Sequence, residues 1–400
     1  MKSDIQRFLC FPQKLSGACE SRRRAIYVRV NNSHPPISRL SSPFSNAHGR
    51  GTTTAPENRF DQIEVAWDLE AFEEIRRLDP EFEPPPLKTV YFRDDSQSII
   101  SRNDSPDVGF DASLNPYRGC EHGCAYCYAR PTHDYLGFNA GIDFESKIMV
   151  KRDAPALLRK ELASTHWKPK VLACSGVTDC YQPVEAKLKI TRGCLEVLAE
   201  TRNPVAIVTK NYLVTRDIDL LSELAAHNAA MVYVSLTTLD SGLARKLEPR
   251  ASSPSMRLRA ISKLRASGVR VGVSTAPMIP GLNDHELPAL LSAAADAGAE
   301  TAFYTAVRLP WGVADVFSDW LEQHVPGQKE KVLGRIREMR DGKLNDSSFG
   351  ERMRGSGMVA EELKALFRVS ARRAGLDKAP TPLSAAAFRR PALDGQMTLL

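Results

Sequence analysis

Three cysteines, Cys120, Cys124 and Cys127, fall within eight residues, in the run Asn-Pro-Tyr-Arg-Gly-Cys-Glu-His-Gly-Cys-Ala-Tyr-Cys-Tyr at 115–128. Three thiolates spaced C-x3-C-x2-C on one tight loop can hold three corners of an iron–sulfur cube, whose irons normally take four ligands. With no fourth cysteine on the loop, one iron stays open to bind something else, the mark of a metal site built for chemistry. The same thiols with His122 or His133 could instead complete a Cys3His zinc set. Zinc knuckles usually present two short pairs across a longer loop, and no second pair follows here. Cys10, Cys19, Cys174, Cys180 and Cys194 are widely spaced and give no disulfide framework.

Such a loop must be carried by a scaffold. From about residue 111, apolar runs rich in branched residues recur at 170–175, 204–210, 231–237, 269–275 and 302–307. Helical-period segments separate them at about 153–164, 185–201, 216–228, 254–267 and 284–298. Strands alternating with helices of this length predict a parallel sheet of βαβ units, α/β in class. The strand leading into the cysteines makes six. At the carboxyl ends of such strands polar residues face an active site. Here those ends carry Cys174, Ser175, Thr178 and Asp179, then Lys210, then Ser235, and finally Arg308.

Outside this core the reading is coarser. Residues 1–60 are rich in Ser, Arg and Asn with few acids, and predict a disordered arm. We read that arm as an over-extended start rather than an organellar transit peptide. Residues 61–110 predict an extension, with a short helix over 62–78 ended by Pro84, Pro85 and Pro86. Residues 311–376 predict helices near 328–341 and 358–373, each basic on one face, covering the open side of the core. The tail from 377 is Pro- and Ala-rich and predicts a loose end. The net charge of +6 is too mild to argue for nucleic acid by itself. No apolar run approaches the ~20 residues that span a bilayer. With no secretory signal, a cytoplasmic, reducing setting is expected.

The cysteine run closely resembles the cluster loop of the radical S-adenosylmethionine (SAM) enzymes. Further segments make the resemblance specific: Ser-Pro-Asp at 105–107, Ala-Arg-Pro-Thr-His at 129–133, Thr-Asp-x-Tyr-Gln-Pro-Val-Glu at 178–185, Thr-Lys-Asn at 209–211 with Arg216-Asp217, Thr-Thr-Leu-Asp at 237–240 and Glu-Pro-Arg-Ala at 248–251. Together, over about 95–375, they resemble the group related to spore photoproduct lyase, often labelled DNA-repair-photolyase-like.

The resemblance implies a partial (β/α)6 barrel with its cluster loop after strand one. It implies a [4Fe-4S] cluster on Cys120, Cys124 and Cys127, SAM on the open iron, and an external electron donor such as flavodoxin or ferredoxin. Around SAM it implies Tyr126 at the adenine edge, Lys210 as cation for the carboxylate, and Ser175, Thr178, Asp179 and Ser235 on hydroxyl or amino groups. Arg250 could clamp a carboxylate or phosphate at the mouth, or close the rim in an ion pair with Glu248 or Glu185. Cys174 could return a hydrogen atom to a product radical, or pack as a small hydrophobe. The substrate stays open: damaged nucleic acid, an RNA or protein to be modified, or, outside catalysis, a metal-binding module that grips nucleic acid.

Overall fold

The computed structural model describes residues 27–31, 49–60, 63–67 and 87–392. Cys10, Cys19, Pro84 to Pro86 and the last eight residues lie outside them. The chain divides into two compact units. One comprises residues 1–43 and 62–84. Its described part is a two-stranded antiparallel sheet, β1 (Tyr27–Asn31) against β2 (Ile63–Trp67). The helix expected over 62–78 therefore begins as a strand. Ile63, Val65 and Trp67 alternate with Glu64 and Ala66, a period of two that the longer apolar pattern hid.

The second unit, 44–61 and 85–400, holds the rest. Its strands are β3 (Val90–Arg93), β4 (Ile100–Arg102), β5 (Ala112–Leu114), β6 (Tyr117–Arg118), β7 (Lys147–Val150), β8 (Leu172–Cys174), β9 (Val205–Thr209), β10 (Ala230–Ser235), β11 (Arg270–Met278) and β12 (Thr301–Ala306). Seven of them form one sheet in the order β12-β11-β10-β9-β8-β5-β4. β5 and β8 to β12 run parallel, and β4 pairs antiparallel with β5. These six parallel strands are the expected ones. Helices at 154–163, 190–201, 218–225, 254–266 and 287–296 return the chain between them. Val205, Ile207, Val232, Val234, Val271 and Val273 are all fully buried, as a sheet covered on both faces requires.

A smaller sheet, β3-β7-β6, sits at the entry to the cysteine loop. At the opposite edge, Ala306 N–H donates to Met353 O at 2.9 Å and Leu309 N–H to Leu344 O at 3.2 Å. The same C-terminal loop reaches the β4–β5 turn, where Arg352 pairs with Asp107 and Gly350 N–H donates to its Oδ1 at 2.7 Å. The loop thus links the two ends of the sheet. A helix at Gly312–His324 was not expected, although Val313, Val316, Phe317, Trp320 and Leu321 mark its buried face at helical spacing.

Two expectations of disorder need correction. Residues 49–60 pack against the cysteine loop, as described below. The tail is pinned by backbone groups: Ser384 N–H donates to Asn228 O at 2.9 Å, Arg389 N–H to Thr201 O at 2.7 Å, and Arg270 Nη1 to Thr381 O at 2.7 Å. Neither composition nor period announces such main-chain pairing.

Candidate cluster and cofactor site

The cysteine loop leaves β6 and is fixed from three sides. From below, Arg130 is fully buried and spends its guanidinium on the loop and its support. Nε donates to Cys124 O at 3.0 Å, Nη1 to Gly141 O at 2.7 Å, and Nη2 to Glu145 Oε1 at 2.8 Å. A buried ion pair holds only when its remaining valences are filled, and the second Glu145 oxygen takes Gly51 N–H at 2.9 Å. From the β8 side, Gln182 accepts from Glu121 N–H at 2.9 Å and donates to Gly119 O at 3.1 Å. Thr178 Oγ1 donates to Tyr117 O at 2.8 Å, and Tyr117 in turn bonds Glu185. The segment resembling the spore photoproduct lyase group thus acts as a clamp on the loop.

The third side is residues 49–60. Arg50 donates to Glu145 O at 2.6 Å and Leu87 O at 3.0 Å. Gly51 lies so close that a Cβ there would stand 1.4 Å from Gly123 O. Gly123 is itself at φ +66°, where a side chain would meet Glu145 at 2.5 Å, so only glycine fits either position. Arg250 belongs to this contact: Nε donates to Gly49 O at 2.9 Å and Nη1 pairs with Glu121 at 3.3 Å. Its partner is therefore neither Glu248 nor Glu185, and the guanidinium is committed to the chain.

The loop itself presents three free thiols, Cys120 and Cys124 buried and Cys127 half-buried. Burial pushes the Cys120 thiol well above its ordinary range, with Asp179 and the other two cysteines adding to the rise. Cys124 is raised too, first by burial and then by Glu248, while Lys210 opposes the rise. A bound metal would offset the rise at Cys120 and Cys124, since ligating thiols lose their protons on binding. Among the described residues no three His, Cys, Asp or Glu side chains converge on one metal position. Both His122 ring nitrogens are engaged, Nδ1 3.4 Å from Asp179 and Nε2 3.2 Å from Asn211 Nδ2. His133 donates from Nε2 to Lys147 O at 2.9 Å.

Around the thiols stand the other expected residues. Asp179 accepts from Thr209 Oγ1 at 2.8 Å and from Lys210 N–H at 2.7 Å. Burial raises its pKa, but His122 and the N–H groups of Lys210 and Tyr181 outweigh that and hold it below the usual carboxylate range. Tyr126 bonds Glu248, which also pairs with the buried Arg257. The Lys210 ammonium lies 6.0 Å from the Tyr126 ring centre and has no hydrogen-bond or ion-pair partner among the described residues. Ser175 sits at φ +76° at the end of β8, an uncommon conformation for serine, and accepts from Cys180 N–H at 2.8 Å. Ser235 ends β10 and is buried. Two residues on, the buried Thr237 hydroxyl has no partner. A free ammonium and an orphaned hydroxyl at adjacent strand ends fit the carboxylate and a hydroxyl of SAM.

Cys174 does not belong to this constellation. Buried on β8 as a free thiol, it neighbours Cys180 and Cys194, the latter on the helix at 190–201, in the same core cluster. That places the thiol in the sheet–helix core, where it packs as a small apolar group. The hydrogen-donor expectation is withdrawn.

Sequence reasoning missed Glu145, the 49–60 segment, Glu121 and the role of Gln182. Arg130 and Gln182 stood inside segments quoted for the resemblance, so a signal existed for them. For Glu145 and Gly51 there was none.

A family model described as the radical SAM superfamily matches residues 114–294. An uncharacterized protein of Mycobacterium tuberculosis is 36% identical over 248 residues, covering 61% of this chain and 72% of its own. One of Methanocaldococcus jannaschii is 29% identical over 222 residues, covering 56% and 79%. Among solved structures, spore photoproduct lyase complexed with dinucleoside spore photoproduct superposes with a TM-score of 0.51 at 16% identity, covering 76% of this chain and 91% of that one. At that identity the likeness speaks for the fold. The chain belongs to the radical SAM superfamily and is a radical SAM enzyme. The family implies an iron–sulfur cluster and SAM.

Proposed function

We propose that Cys120, Cys124 and Cys127 ligate a [4Fe-4S] cluster used to cleave SAM reductively, and that damaged nucleic acid is the first substrate class to test. The chemistry supplied when these groups are bound is one-electron cleavage of the sulfonium C–S bond, giving methionine and a 5′-deoxyadenosyl radical that abstracts hydrogen. The protein's part is to hold, orient and exclude water. Arg130, Glu145 and Gln182 fix the loop so that the thiols keep their spacing. Lys210 offers its unpaired charge to the SAM carboxylate, and Thr237 and Ser235 offer hydroxyls to its ribose. Tyr126, held by Glu248, presents the backbone edge for adenine. A flavodoxin or ferredoxin would supply the electron.

The observation that carries this reading is the cysteine loop: three free thiols on a loop whose own polar groups are satisfied by buried partners. The test is anaerobic. The full chain is reconstituted with iron and sulfide, reduced, given SAM, and assayed for 5′-deoxyadenosine beside Cys124→Ala. Product from the wild type alone is the expected result. Failure of the wild type to take up iron and sulfide would overturn the reading.

A further inference from the structure

The carboxyl end of β12 carries more positive charge than its neighbours neutralise. Arg308, two residues past the strand, is half-buried and has no hydrogen-bond or ion-pair partner among the described residues. Its guanidinium lies 4.5 Å from the centre of the Tyr128 ring, and Tyr128 follows Cys127 directly. Arg340, almost fully buried, reaches only carbonyls, Val307 O at 2.8 Å and Glu351 O at 3.0 Å, and its Nε has no partner. Arg352 is already matched by Asp107. Burial lowers the pKa of Arg308 and Arg352 adds to the fall, while Tyr128, Asp107 and Cys127 oppose it. A half-buried guanidinium with no anion in direct contact is costly, so this end of the strand has room for one.

Three residues beyond Arg308, within about 11 Å along the chain, stands Trp311. The residue is 61% exposed, and its backbone is at φ +48°, ψ −129°. That is a sparsely populated region for any residue but glycine, and such strain gathers at functional positions. Arg59 lies 3.9 Å from its ring centre and is anchored by Asp134 at 2.7 Å. The chain therefore holds a large flat ring, mostly exposed and braced by Arg59, three residues along from a cation that has no hydrogen-bond or ion-pair partner among the described residues.

We infer that Arg308 seats a backbone phosphate of a single-stranded nucleic-acid substrate while Trp311 stacks on a neighbouring base. The inference rests on the radical SAM reading above and names the groups that recognise its substrate. An oxyanion satisfies Arg308 and a flat π-face satisfies Trp311, and a nucleotide strand offers both at adjoining positions. Lys210, beside Cys124, and Arg308, beside Cys127, then divide two anions between them, the SAM carboxylate on the first and the phosphate on the second.

The experiment uses the anaerobically reconstituted full chain and a short fluorescein-labelled oligothymidylate, read by fluorescence anisotropy over a salt series, with SAM affinity measured in parallel by equilibrium dialysis. Arg308→Gln is expected to weaken oligothymidylate binding about ten- to a hundredfold, the value of a charge-assisted hydrogen bond, and to lower the log–log salt slope by about one. Arg308→Lys keeps the charge, so it should keep the slope while losing part of the affinity. Trp311→Leu should cost about five- to a hundredfold and leave the slope alone, since stacking releases no counterions. SAM affinity should hold in all three, and thermal melts check that each is folded. If Arg308→Gln lowers SAM affinity and spares the oligothymidylate, Arg308 serves the SAM carboxylate and the inference fails. Should the wild type cleave SAM yet bind no oligothymidylate, the substrate class falls and the radical chemistry stands. A wild type that binds the oligothymidylate but takes up no cluster fails the other way round.

Discussion

Arg130 and Arg308 both lie against the cysteine loop, and the protein treats them in opposite ways. Arg130 is fully buried, and its guanidinium spends itself on Cys124 O, Gly141 O and Glu145. Arg308 is half-buried over the Tyr128 ring and makes no hydrogen bond or ion pair among the described residues. The first arrangement rigidifies; the second stores an unmet demand. Where every valence is met, the side chain serves the fold, and where one is left over, a ligand is the economical explanation. The contrast also separates Arg250, committed to Gly49 and Glu121, from Lys210, which is not committed.

The largest expected effect breaks the rigid side. Arg130→Ala removes one partner of a buried ion pair and strands Glu145, which should cost about 3–5 kcal/mol of unfolding free energy. Urea denaturation of the unloaded protein measures it. A midpoint equal to that of the wild type would mean that the loop does not depend on this pair.

His133 belongs to the same side, with its ring edge-on to Phe144 at 5.1 Å and Asp143, Arg130 and Lys147 as charged neighbours. Burial lowers its pKa from 6.5 to about 4, against the Lys147 carbonyl bond and Asp143, which raise it. A folded pKa below the unfolded one means that the folded state resists protonation. The stability is therefore fully present above about 6.5 and is lost as pH falls from there toward about 4. At 1.36 kcal/mol per unit this amounts to something on the order of 3 kcal/mol. The melting temperature of the wild type should fall through that window more steeply than that of His133→Asn. Parallel curves would show that the titration seen belongs to other groups.

Gly51→Ala tests the third side of the clamp. The added methyl would stand 1.4 Å from Gly123 O, a backbone atom that cannot swing away. Displacing residues 49–60 should cost about 1–3 kcal/mol, as overpacking does. It should also reduce the iron retained after desalting, because Glu145 loses its bond from Gly51 N–H. Full iron retention would make 49–60 a bystander.

Part of this comparison was legible in the sequence. The three thiols could be read from spacing, and the six parallel strands from alternation, because both are local patterns. Arg308 was visible as a polar strand end, but its lack of a partner is a fact about the surrounding space. The clamp was invisible for the same reason: Glu145 lies 15 positions from Arg130, and Gly51 reaches Glu145 across 94. The helix at Gly312–His324 could have been found from Val313, Val316, Phe317, Trp320 and Leu321. Cys174 carried two readings, hydrogen donor or small core residue, because a strand's alternation decides which face a residue takes, and spacing alone leaves that phase unset.

The smallest expected effect is the one that sharpens the contrast most. If Arg308 serves a ligand and not the fold, then Arg308→Gln removes an unpaired, half-buried charge from beside Arg340 and Arg352. The unfolding free energy of the ligand-free protein should then change by no more than about 1 kcal/mol, the worth of the ring contact with Tyr128, set against the relief of repulsion from Arg352. Urea midpoints compared with those of Arg130→Ala provide the measurement. A loss near that of Arg130→Ala would show that Arg308 has internal partners of equal worth, and the division between a rigid loop side and an unsatisfied rim would dissolve. A neutral or stabilising outcome would leave the guanidinium with no structural reason to be there, and binding as the function that keeps it.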